Sequence, residues 1–300
     1  MNIPKKYWHI ARRLTSVQLQ KQVDNGDIIS ETDLFNINIG KRGHNLFLGF
    51  YSLEGIKLAF EKYDVLKKLK EKGFTNLVYE LNTSDPYVHK LIIFHRKKSS
   101  QNMLVELVLK KYNVNIDMPF DTKFNGRSYE TIAIEWMCLQ NPYAVFTDER
   151  PQLPGQDHPG LGVASKAVEL LIIMAWRLNL CGLINTPDHY HNASLYSKIF
   201  YYLNPDYQAQ LLALMRDLKK YSLDTIAWAI EWGAVVDSNS RKPVKWQVGK
   251  QIVPLHQDLK DLFNSKEYKN TVEKKMKKYK FELDVKKFEK IKERGALHEA

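Results

Sequence analysis

The spacing of apolar and polar positions divides the chain into stretches of two periods. Residues 1–30 read as helical. Between Ile10 and Val23, the side chains of Ile10, Ala11, Leu14 and Val17 share one stripe, and Arg12, Ser16 and Gln20 lie outside it. After a polar stretch, Asn45 to Tyr51 is a short apolar strand or helix entry. Ser52 is placed to cap the next helix, with Gly55 an early weak point. Ile56, Ala59, Phe60, Tyr63, Leu66 and Leu69 then repeat at helical spacing until Lys72-Gly73 ends the run. From residue 76 the period shortens. Asn76–Leu81 and Lys90–Arg96 read as strands, Lys97–Asn102 as a hairpin connection, and Met103–Lys110 as the returning strand. Tyr129–Leu139 is apolar at most positions, as a central strand would be.

Residues 140–162 are rich in proline and glycine, with Pro142, Pro151, Pro154-Gly155 and Pro159-Gly160. A loop this long inside a compact domain is usually functional. It feeds a helix over 163–178 that is apolar nearly all round, and so is predicted to be buried against a sheet. A short strand at Cys181–Thr186 stops at Pro187. A short helix over Asn192–Phe200 and a strand at Phe200–Leu203 follow. Helices over 206–220 and 223–234 come next, then a hairpin of Val244–Val248 and Gln251–Pro254 turning at Gly249. From 256 lysine dominates, with sparse apolar residues at rough helical spacing. The pattern predicts an α/β fold with a mixed, mostly antiparallel sheet flanked by helices, and extra helices at both ends. Residues 1–255 form one domain, and 256–300 form a basic helical appendage, frayed at its end.

Composition adds three constraints. A chain of 300 residues, 44% hydrophobic and 12% aromatic, buries a substantial core and is mostly ordered. The net charge of +11 favours an anionic partner. Cys138 and Cys181 sit in apolar strings and imply no disulfide framework. The first residues lack an apolar leader and no apolar run is long enough to span a bilayer, so a cytoplasmic protein without membrane contact is expected.

Two polar clusters carry the candidate chemistry. One is Leu153–Gly162, where a glycine-bearing loop enters a long helix. Orphan N–H groups and the positive end of the helix dipole favour an anion at such a junction. The other is Asp188-His-Tyr-His-Asn192.

Over residues 76–203, the order strand, hairpin, strand, glycine loop, buried helix, strand and short helix resembles the core of GNAT-type N-acyltransferases. Gly160-Leu-Gly162 stands where that family carries a Gln/Arg-x-x-Gly-x-Gly/Ala signature. Ala193-Ser-Leu-Tyr196 matches its alanine-to-tyrosine spacing, with Phe200 near the usual aromatic position. The resemblance implies that Gln156, Gly160, Gly162, Val163 and Asn192 bind acetyl-CoA or another acyl-CoA. It implies Tyr196 as general acid to the leaving thiolate, with Glu135 on the central strand as candidate base for an unidentified amine acceptor. The match departs from the signature at Gln156, one residue too far from Gly160, and at Asp157, which takes the Gln/Arg place.

Two further readings come from the residues alone. His158, Asp188, His189 and His191 lie in loops that can converge, and a His-x-His on extended chain suits zinc, which would make a His-based metal-dependent hydrolase. The lysine-rich C-terminus interleaves Tyr268, Tyr279, Phe281 and Phe288. That is the chemistry of a non-catalytic protein contacting a nucleic acid, another polyanion or a protein. Cys181 as a nucleophile is the weaker reading beside a buried cysteine.

Overall fold

The computed structural model describes residues 3–21 and 46–296. Among the described residues, four helices precede the sheet: α1 (Lys5–Arg13), α2 (Ser16–Gln20), α3 (Leu53–Lys62) and α4 (Val65–Glu71). Each of the two long helices expected here is broken by a local competitor. The first stops at Leu14 because Thr15 starts a new helix, its side chain and that of Gln18 forming a reciprocal capping box. The second breaks at Asp64, which adopts a left-handed backbone with φ 62°. Its carboxylate is held there by Lys6 Nζ at 2.6 Å and the Tyr7 hydroxyl at 3.1 Å. The part of the first helix expected beyond Lys21 falls outside the described residues.

The apolar run before Ser52 is neither strand nor helix entry. It is a turn through Leu48 (φ 56°) and Gly49 (φ 71°), bridged by Phe47 and Tyr51 and pinned by the Leu48 N–H donating to His89 Nδ1 at 2.6 Å. Ser52 caps α3, its hydroxyl accepting from the Gly55 N–H at 3.0 Å. Gly55 turns out to be required rather than weak. A Cβ there would stand 2.0 Å from the Leu19 carbonyl oxygen, so only glycine lets α2 lie against α3.

Four strands then run antiparallel in order: β1 (Leu77–Asn82), β2 (Val88–His95), β3 (Met103–Asn115) and β4 (Ser128–Leu139). The loop 140–162 leads to α5 (Ala164–Arg177). That helix carries the chain to β5 (Gly182–Asn185), which lies parallel to β4. After α6 (Tyr190–Leu195) come β6 (Tyr201–Tyr202), α7 (Pro205–Asp217), α8 (Leu223–Glu231), β7 (Val235–Asp237) and β8 (Gln251–Pro254). The large sheet has seven strands in the order β1-β2-β3-β4-β5-β8-β6, and β4–β5 is its one parallel pair.

The expected hairpin at 244–254 is therefore half present. β8 enters the sheet between β5 and β6, and residues 244–248 form no strand. Trp246 instead donates its ring N–H to the Pro187 carbonyl at 3.0 Å. Gly249 lies against the Tyr207 ring, where a Cβ would meet Tyr207 at 2.5 Å.

Residues 256–296 form α9 (Gln257–Asn264), α10 (Lys266–Met276), β9 (Phe281–Leu283) and α11 (Val285–Ala296). They do not project from the body. Leu259, Phe263, Tyr268, Phe281 and Phe288 are buried, β9 pairs with β7, and the Tyr268 hydroxyl donates to the Tyr202 carbonyl at 2.7 Å. One face of the sheet packs against α1 to α5, with Leu91, Ile93, Leu109, Ile132 and Leu183 at its centre. The other face, at the β4–β5–β8 end, packs against the C-terminal helices through Tyr129, Ala133, Ile184 and Ile252. No helix among the described residues is long and apolar enough to cross a membrane.

The Gly55 contact yields a stability prediction. Gly55→Ala forces Leu19 backbone off α3 and should lower the unfolding free energy by about 2–3 kcal/mol, read by urea denaturation. An unchanged midpoint would show that α2 can move away freely.

Candidate functional site

The sheet comes apart at its parallel pair. β4 and β5 are in register only over Ile132–Ile134 against Leu183–Asn185. β4 runs on to Leu139, whereas β5 ends where Thr186 leads into Pro187, which has no N–H to continue a ladder. A bulge marks the parting. Trp136 faces Val108 and Ile134 faces Leu109, so Glu135 is the extra residue on β4. Further along, the loop returns to the end of β4: the Leu161 N–H donates to Leu139 O and the Asn141 N–H to Pro159 O, both at 2.8 Å. Between these two closures the edge of β4 has no strand beside it. A cleft open to solvent occupies the gap.

Three residues implied by the resemblance line this cleft together: Glu135 from the bulge, and Asn192 and Tyr196 from α6 and its end. Trp136, Asn185 and Asp188 line it as well. Glu135 is exposed, and its carboxylate makes no hydrogen bond or ion pair with another described residue. Tyr196 is half-buried against Phe200, their rings 6.3 Å apart and edge to face. Burial pushes the Tyr196 hydroxyl above its usual value, so it stays protonated at neutral pH and can donate.

Gly160, Gly162 and Val163 form the entry to α5. Gly162 has φ 71°, a left-handed conformation that suits glycine. Val163 occupies the N-cap and supplies no side-chain hydrogen bond, and the first turn holds no acidic residue. The leading N–H groups of α5 thus donate to no N-cap side chain, and no carboxylate stands in the first turn. Two cations stand at this spot that the linear sequence did not assign to it. Arg150 donates to the Gly160 carbonyl at 2.7 Å, and Lys72 lies so close that a Cβ at Gly162 would be 3.2 Å from its Nζ. Lys72 was legible only as a helix terminator, and Arg150 only as part of a loop. Together they supply positive charge where Asp157 replaces the signature's Gln/Arg. Gln156 is used differently: its side-chain oxygen accepts from the Leu153 N–H at 3.1 Å, which closes the loop on itself.

The histidines make a polar contact and no ligand set. His189 and His191 stack at 5.5 Å, and His189 Nδ1 lies 3.4 Å from a Glu231 carboxylate oxygen. Among the described residues, no three His, Cys, Asp or Glu side chains are grouped so as to hold a metal ion. The tail aromatics are also not where a nucleic-acid surface would need them. Tyr268, Phe281 and Phe288 are buried, and the partly exposed Tyr279 stacks on Phe281 at 5.4 Å. Both cysteines are free. Burial first, then Glu106 and Asp157, pushes the Cys138 thiol up to about 11. Burial also raises that of Cys181, which argues against either thiol as a nucleophile.

No family model matches the chain, and no curated protein and no solved structure shows a significant match. The architecture, an α/β fold with a mostly antiparallel seven-stranded sheet flanked by helices, is compatible with the GNAT-like expectation.

His191 provides a pH test of this region. It is buried, its Nδ1 has no partner among the described residues, and burial followed by the charge of His189 lowers its pKa from 6.5 to about 4. A histidine with a lowered folded pKa favours folding in its neutral form. Its contribution is complete above about pH 6.5 and is lost as the pH falls towards 4. Between pH 7 and 5 the native protein should lose about 2 kcal/mol more unfolding free energy than His191→Gln. Parallel denaturation curves for the two proteins at both pH values would contradict this.

Proposed function

We propose that the chain is a GNAT-like N-acyltransferase, which binds acetyl-CoA or a related acyl-CoA and acylates an amine. The observation that carries this reading is the parted β4–β5 pair, with Glu135 and Tyr196 on its walls and the uncapped start of α5 nearby. The residues fit an acyl-CoA on chemical grounds. A pyrophosphate needs N–H donors and positive charge, which Gly162, Val163, Lys72 and Arg150 offer. The coenzyme supplies a thioester.

The rest falls to this chain's own side chains. In the transfer, the amine nitrogen bonds to the acyl carbon and the carbon–sulfur bond breaks. One proton leaves the amine and one reaches the sulfur. Glu135, free of partners, accepts the first. Tyr196 supplies the second. A tyrosine hydroxyl held above its usual range by burial gives its proton uphill to an ordinary thiolate, so its main contribution is a hydrogen bond to the developing charge. The edge of β4 past Ile134, free of a strand partner, offers backbone donors to the carbonyl oxygen.

Binding is tested first. Acetyl-CoA at 100 times its Kd should stabilise the fold by about 2.7 kcal/mol, seen as a rise in Tm. Lys72→Ala and Arg150→Ala should each shrink that rise. No shift at millimolar acetyl-CoA would remove the cofactor and the reading with it. The chemistry is tested separately. Tyr196→Phe should cut kcat by roughly 10–100-fold while leaving the acetyl-CoA shift in place. A loss of both would assign Tyr196 to binding.

A further inference from the structure

The core between the N-terminal helices and the sheet is not filled. Two cavities, of about 40 and 70 Å³, lie between α3 and α5. Ile56 and Phe60 from α3, and Leu170 and Met174 from α5, line both, so the two are neighbouring chambers of one space. The larger chamber reaches the sheet at β2, β3 and β4, and every side chain that lines it is apolar. Each chamber is several times the roughly 10–15 Å³ that one water needs, and an apolar wall offers a water no partner. Protein interiors seldom leave gaps of this size.

The smaller chamber adds three polar side chains to an otherwise apolar wall: Tyr51, Tyr63 and Arg177. Arg177, the last residue of α5, is half-buried and donates to the Leu14 carbonyl at 2.8 Å and to the Ala11 carbonyl. Those bonds use two of a guanidinium's five N–H donors. No carboxylate of the described residues pairs with it, although a cation drawn out of water gains most from a charged acceptor. Both tyrosines are buried. Burial first raises their hydroxyls, and the Arg177 charge opposes that rise in each, which places Arg177 beside both. The hydroxyls stay protonated at neutral pH and can donate. An arginine and two phenols together suit a carboxylate.

We propose that this space binds a long-chain carboxylate, that is, a fatty acid. Its head accepts hydrogen bonds from Arg177, Tyr51 and Tyr63. Its alkyl tail passes between Ile56, Phe60, Leu170 and Met174 into the chamber against the sheet. Met174 suits that passage, because an unbranched thioether re-packs easily around a chain. The two observations are independent: one is apolar volume without an occupant, the other a cation without an anion. A fatty acid answers both at once. A neutral hydrocarbon would leave Arg177 as it is, and a small anion would leave the larger chamber empty. The site does not rest on the acyl-transfer reading, although Met137 lines both the larger chamber and the cleft.

The test uses the full chain and decanoate below its micelle concentration, followed by calorimetry, with decanol as the uncharged control. Decanoate should bind at least about tenfold more tightly than decanol, the scale of one charge-assisted hydrogen bond. Ala59→Leu and Ala167→Leu each add bulk to one chamber without changing surface charge, and each should weaken decanoate by about tenfold. Arg177→Gln should bring decanoate down to the affinity of decanol. Arg177 also holds Leu14 and Ala11, so if that variant does not fold, decanoate against decanol on the native chain decides the head. No binding of decanoate, equal affinity for decanol, or binding indifferent to both leucines would overturn the proposal, the last by placing the ligand on the basic surface. Decanoate bound as expected without acetyl-CoA binding would sink the acyltransferase reading and uphold this site.

Discussion

A β-sheet holds together by pairing every edge it can, and this one stops doing so in its middle. β4 and β5 share three residues of register and then separate, because β4 gains an extra residue at Glu135 while β5 is ended by Pro187. Backbone groups left unpaired inside a fold are costly, so such a gap persists only where the surroundings hold it open and water or a ligand can enter. Here the loop 140–162 fixes one end through Leu139 and Leu161, and β8 fixes the other by pairing with β5. The cleft, its carboxylates and its aromatic wall all follow from that interruption.

The same interruption sorts charge. The entry to α5 gathers Lys72 and Arg150, and the cleft gathers Glu135 and Asp188. A ligand with an anionic end and a reaction partner with a cationic one would each find a complementary surface without competing for it. The overall basic character of the chain does not reveal this, since it sums over a surface that is locally of both signs.

Much of the fold was legible from period alone. The strands from 77 to 139, the buried helix after the glycine loop and the α/β class follow from alternation and stripe. What pattern could not see was competition over short distances. Thr15 and Asp64 each break a helix whose apolar stripe runs on unchanged, because a capping box and a left-handed residue act on the backbone rather than on the stripe. The packing of the tail was hidden for a related reason. Its lysines dominate the composition, but its sparse Phe and Tyr residues are what reach the core. Glu135, Asn192 and Tyr196, singled out through the resemblance, line one cleft. Lys72 and Arg150 were not singled out, since only the fold brings them to Gly162 and Gly160. The bulge that isolates Glu135 leaves no trace in a strand apolar on nearly every position.

The place of β8 has a consequence for how the molecule is made. β5 pairs with residues about 70 positions later in the chain, and β6 with the same strand. During synthesis, β1 to β5 can assemble with an exposed edge long before Gln251–Pro254 leaves the ribosome. Contacts that distant are slow to form, and an unpaired edge invites association with other chains in the meantime. The β5 side of the cleft, which includes Asn185, is therefore backed late by β8, and a nascent chain arrested before residue 250 would carry a sheet edge open to aggregation.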